Sequence, residues 1–224
     1  MEKVILLLCL VGLVFGAYIV DQPNATRGKD NWMINHEGDR TTNQGSSTII
    51  AIGSTASGVP LYTGLIEFDT LNSIPLGSIV DSAKITFYIY AAGGTEIYYC
   101  ARGKRIWGEL TSTFNTYDGV NNWTVGGAQG EGTDRYAPTD SFALTGSGYK
   151  TLDVTPTVQA DVTAGTHRGW VWYIVNAGPY QFARSSDYGT ALKRPKLEVW
   201  YPDVPATGAK AIYYSTPFGI RRGR

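Results

Sequence analysis

A 224-residue chain with 27 glycines, 15 tyrosines and 6 tryptophans but only 2 methionines has the composition of short strands joined by tight turns, and length for one core-bearing domain. Its 19 basic and 19 acidic side chains cancel, which excludes a global field recruiting nucleic acid or an anionic membrane. The charges are unevenly placed: residues 204–224 hold Lys210, Arg221, Arg222 and Arg224 and no acid, so, with Glu2 and Lys3 cancelling, residues 17–203 are net −4.

The first element is an export signal. Met1-Glu2-Lys3 precedes an apolar run from Val4 to Phe15, and Val14-Phe15-Gly16 suits cleavage before Ala17. An uncleaved anchor is the alternative, since the apolar run to Val20 reaches the lower edge of a membrane span. Cleavage removes Cys9 and leaves Cys100 alone, so the fold stands on its core rather than on a disulfide framework.

From Asn31 onward, short segments alternate apolar and polar residues between Gly, Ser, Asn and Pro clusters, predicting strands over 31–36, 47–53, 62–69, 82–91, 96–103, 149–154, 169–176, 180–184 and 195–201. The Gly-, Thr- and Asp-rich stretch 104–148 is too long for a turn and reads as an ordered or functional excursion. One short helix is expected over Thr155 to Ala164.

Strand phase assigns faces, because residues two apart share one. Ile85, Phe87 and Ile89 are expected inward, leaving Lys84, Thr86, Tyr88 and Tyr90 outward. Leu197, Val199 and Tyr201 point in, against Lys196, Glu198 and Trp200. In the third strand, apolar on both sides, Trp170, Trp172 and Ile174 face the core and Tyr173 faces out.

The ordered series Gly45–Gly53, Leu65-Ile66-Glu67-Phe68-Asp69, Ser73–Ser78, Ala83–Tyr88, Trp107-Gly108-Glu109, Asn122–Gly127, Leu152–Gln159, Gly169-Trp170 and Pro195–Val199 resembles the DNRLRE, or disaggregatase-related, domain. The resemblance covers roughly residues 30 to 202. It implies a β-jelly-roll sandwich grouped with carbohydrate-binding modules found beside alginate lyases, and hence binding rather than cleavage. Glu67 stands where that family commonly carries a basic residue.

The expected architecture is therefore an all-β, jelly-roll-type β-sandwich: a signal or anchor (1–16), one sandwich domain (22–203), and a linker with a basic tail (204–224). Flat aromatic rings pack on the C–H faces of sugars, so Tyr88, Tyr90, Tyr173 and Trp200, with Lys84 and Lys196, form a candidate polysaccharide platform. The competing reading buries these aromatics beneath the 104–148 excursion as a second core, and Arg102, Lys104 and Arg105 offer an alternative loop site. Glu131, Asp134 and Asp140 crowd a glycine-containing loop whose oxygens suit a structural calcium ion, with solvated loop acids as the alternative. Zinc spacing, nucleophile elbows and phosphate loops do not occur, so the chain is read as a non-enzyme that needs no cofactor beyond such a calcium.

The expected function is a secreted or cell-surface polysaccharide-binding, adhesive module, with no nucleic-acid partner and no integral membrane domain once the signal is cut. The rival reading is a structural subunit of a fibre, pilus-like filament, surface layer or viral surface, because Ala211-Ile212-Tyr213-Tyr214 in the tail is strand-prone and suited to self-association.

Overall fold

The computed structural model describes residues 16–202 except 56, 59, 60, 93–95, 144, 145 and 177. The expected signal and the tail segment 211–214 lie outside the described residues. Strands follow the alternation: β1 Gly16–Asp21, β2 Lys29–Ile34, β3 Ile49–Ser54, β4 Leu61–Glu67, β5 Ser82–Ala92 and β6 Ile97–Gly103. They continue as β7 Arg135–Ala143, β8 Gly148–Asp153, β9 Trp170–Tyr173, β10 Gln181–Arg184 and β11 Lys196–Pro202. The helix, α1, occupies Thr155–Ala164 as expected; Pro156 opens it, and Gly165 closes it in the left-handed conformation at φ 63°. No helix among the described residues is long and apolar enough to cross a membrane.

All pairings among the described strands are antiparallel, in one curled sheet ordered β1-β11-β5-β10-β3-β4-β9-β6-β7, with β2 beside β4 and β8 beside β5. β5 carries β8 along one edge, while β11 and β10 share the other end to end, Trp200 opposite Ser82 and Gln181 opposite Ala92. Residues 185–195 bridge β10 to β11 and so pass beside the middle of β5.

The curl brings β5 against β9. Ile85, Phe87 and Ile89 are fully buried with Leu197, Val199, Trp170 and Trp172, and the Phe87 and Trp172 rings lie 4.8 Å apart. The inward phases assigned from sequence are therefore those of the fold.

The excursion builds a second core. Trp107, Phe114, Trp123 and Ala128 pack on Met33, Leu65, Ala101, Val171 and Tyr173, the other faces of β2, β4, β6 and β9. Trp123 Nε1 donates to the Thr113 carbonyl at 2.9 Å, so its polar edge is satisfied where its ring is buried. Each such aromatic contributes about 2–3 kcal/mol of burial, which turns a long segment into structure.

β1 lies ahead of the expected domain start at 22, and the expected cut before Ala17 falls just inside it. Three expectations are corrected. β7 lies within the stretch read as an excursion; its side chains are mostly exposed and Pro138 interrupts it, so it shows little alternation. β9 is shorter than the 169–176 expected. Tyr173 does point opposite to Trp172, but it meets the second core instead of solvent and is 2% exposed.

Candidate functional site

Five of the six side chains nominated for sugar binding share the outer face of β5 and β11: Lys84, Tyr88, Tyr90, Lys196 and Trp200. Tyr173 is excluded, because β9 belongs to the covered part of the sheet. Register extends the face sideways: Tyr18 of β1 stands opposite Trp200, and Asp153, Thr151 and Tyr149 of β8 stand opposite Lys84, Thr86 and Tyr88. A shallow groove of about 420 Å³ runs between them, lined by Ser82, Lys84, Thr151, Asp153, Thr155 and Trp200.

The rings and cations of this face hold one another. Tyr18 stacks on Trp200 at 4.6 Å, and Lys84 Nζ lies 4.8 Å from the centre of the Trp200 ring. Tyr88 meets Tyr149 edge-on at 5.1 Å and receives Lys193 Nζ at 4.5 Å. Tyr90 stacks on Phe182, and the Arg184 guanidinium sits 3.7 Å from Tyr90 and 4.0 Å from Tyr188. Such cation–ring contacts fix long side chains that otherwise lose rotamer freedom on binding.

One carboxylate organises the cations. Glu198 accepts from the Tyr18 hydroxyl at 2.6 Å and pairs with Lys196 at 3.0 Å. Burial works against its ionisation, yet the Tyr18 hydroxyl and the Lys196 ammonium outweigh it and hold the carboxyl below its ordinary range. The same hydrogen bond raises the Tyr18 phenol.

Sequence reading missed Tyr18, Tyr149, Arg184, Tyr188 and Lys193. Tyr149 was readable, since it alternates with the buried Leu152 of β8 across the chain's own register. Tyr18 lay in the apolar run that the anchor alternative extends to Val20; Arg184 ends β10, and Tyr188 and Lys193 reach the face through the 185–195 bridge, whose course no local pattern encodes.

The expected calcium ligands do not converge. The Asp134 carboxylate accepts backbone N–H groups of Thr124 and Val125 and pairs with Arg105, Glu131 pairs with Arg135, and Asp140 accepts from the backbone of Ser141 and Asp153. Among the described residues no three His, Cys, Asp or Glu side chains gather as a cation site. The alternative basic loop is also internally engaged: Arg102 pairs with Asp161, Lys104 donates to the Gly132 carbonyl, and both cations lie over Tyr136. His167 Nδ1 meets the other oxygen of Asp161 at 2.8 Å and packs on Trp170, tying α1 to β9. His36 lies elsewhere and pairs with Asp39.

No protein-family model and no curated protein matches the chain.

Proposed function

We propose that the chain is a non-catalytic, extracellular polysaccharide-binding module, its curled sheet a jelly-roll-type sandwich of the kind its DNRLRE-like signatures imply. The supporting observation is the outer face of β5, β8 and β11, where Tyr88, Tyr90, Tyr149 and Lys196 stand in register beside a groove lined by Trp200 and Lys84. A sugar chain in that groove lies beside the Trp200 ring, while Lys84, Thr151 and Asp153 exchange hydrogen bonds with its hydroxyls. The stacked pairs hold the platform rigid before ligand arrives, which lowers the entropic cost of binding.

Affinity electrophoresis through gels containing neutral and acidic polysaccharides tests this reading. Retention on at least one polymer, unchanged by calcium chelation and weakened about tenfold by Tyr88→Ala or Trp200→Ala, is expected. Retention on none contradicts it.

The second reading, a structural subunit, draws on β1. Among the described strands β1 pairs only with β11, so its outer edge offers backbone groups beside the exposed Tyr18 and Val20. If a tail from another copy adds to that edge, the full chain self-associates and a chain lacking residues 204–224 does not; a monodisperse monomer of the full chain at high concentration contradicts it.

A further inference from the structure

Arg135 is a buried cation whose guanidinium is only partly satisfied. It opens β7 just after the tight turn in which Asp134 and Arg135 both donate backbone N–H groups to the Gly130 carbonyl. Its side chain is buried, 8% exposed, with the guanidinium 4.0 Å from the centre of the Tyr173 ring. Nη1 donates to Glu131 at 3.2 Å and to the Tyr136 carbonyl at 3.1 Å. Nε is buried without any acceptor, so the side-on edge formed by Nε and Nη2 is left unused.

Arg135 also lines a second cleft, of about 320 Å³, on the covered part of the sheet and apart from the candidate sugar-binding face. Leu61, Ile174 and the Tyr173 ring give it an apolar side, and Gln129 and Asn176 a polar one. Gln129 is held in place by donating to Thr63 Oγ1 at 2.8 Å. An arginine with one satisfied nitrogen and a free side-on fork is complementary to a planar group with two acceptor oxygens in line. Charge narrows the choice further: Glu131 already pairs with Arg135, the one cation among the cleft's described lining residues, so a monoanion adds less unbalanced negative charge than a phosphate dianion.

We propose that this cleft is a carboxylate-binding site, in which the two oxygens of a small organic carboxylate accept from Nε and Nη2 of Arg135 while its carbon skeleton lies between Leu61 and Asn176. Neither the polysaccharide reading nor its alternative requires such a site.

The test is a titration of the ¹⁵N-labelled full chain with sodium acetate, sodium glucuronate, glucose and sodium phosphate at fixed ionic strength. The arginine Nε–H resonances are followed, and that of Arg135 is assigned by its loss in Arg135→Lys. Saturable displacement of the Arg135 resonance by acetate and glucuronate, with little response to glucose or phosphate, is expected. Glucuronate binding at least about tenfold tighter than acetate identifies a sugar acid, and equal affinity a simple carboxylate. Arg135→Lys keeps the charge and loses the fork, so carboxylate affinity read from the Asn176 backbone amide falls about tenfold. Should that variant not fold, Asn176→Ala at the exposed rim replaces it, with a weaker glucuronate response expected. A still Arg135 resonance with both carboxylates, displacement by phosphate alone, or undiminished affinity in the folded lysine variant overturns the proposal.

Discussion

Asp30 links pH to the integrity of the candidate site. Its carboxylate is buried in β2 and accepts the Ser186 backbone N–H at 2.8 Å, anchoring the 185–195 bridge that delivers Tyr188 and Lys193 to the outer face. Burial pushes its pKa from 3.8 to about 7; the hydrogen bonds from Ser186 oppose this, and Asp187 and Glu109 add to it. Between those two values the folded chain keeps a proton that the unfolded chain has released, so this group's contribution to stability declines as pH rises from about 4 to about 7 and is flat above. The full span corresponds to about 4 kcal/mol. Asp30→Asn retains an acceptor for Ser186 and has nothing to ionise. Urea unfolding followed by tryptophan fluorescence from pH about 4 to about 8 should show the variant gaining on the parent as pH rises, with a residual slope from Glu109 and Asp187, which burial also raises. Parallel pH profiles for parent and variant would refute the reasoning.

Gly169→Ala should destabilise by at least about 2 kcal/mol, because φ is +70° there and a Cβ would stand 2.2 Å from the Ile66 carbonyl oxygen; a loss under about 0.5 kcal/mol in urea unfolding would show that β9 can shift to accommodate it. Phe114→Ala should cost about 3 kcal/mol by emptying the second core, read in the same assay, and a near-neutral outcome would mean that the excursion is not packed as described. The Cys100 thiol, fully buried and pushed well up by burial, should resist alkylation at neutral pH until the chain unfolds; labelling at the rate of a free thiol would contradict its placement.

Two-residue alternation made much of this fold readable. In β5 and β11 each buried aliphatic residue alternates with a half-exposed polar or aromatic one, so phase alone separated core from surface and placed five nominated residues on one face. The helix was equally legible, since proline and glycine mark its ends. Phase does not say what covers an outer face. Tyr173 and Tyr88 are both outward by pattern, yet one lies under Trp107, Phe114 and Trp123 and the other beside Tyr149, a difference set by contacts distant in sequence. The alternative reading, burial beneath the excursion, therefore holds for Tyr173 and not for Tyr88. The acidic loop failed as a metal site for a similar reason: Asp134 spends both oxygens on backbone N–H groups that composition cannot locate.

The most direct test of the central claim is a comparison of glycan affinity between variants on and off the outer face. Dissociation constants for a retained polysaccharide should weaken about tenfold in Tyr149→Ala and in Arg184→Ala, which alter the rings and cations beside Tyr88 and Tyr90, and stay unchanged in Tyr136→Ala on β7. Equal affinities for all three, or a loss confined to Tyr136→Ala, would contradict assignment of binding to this face.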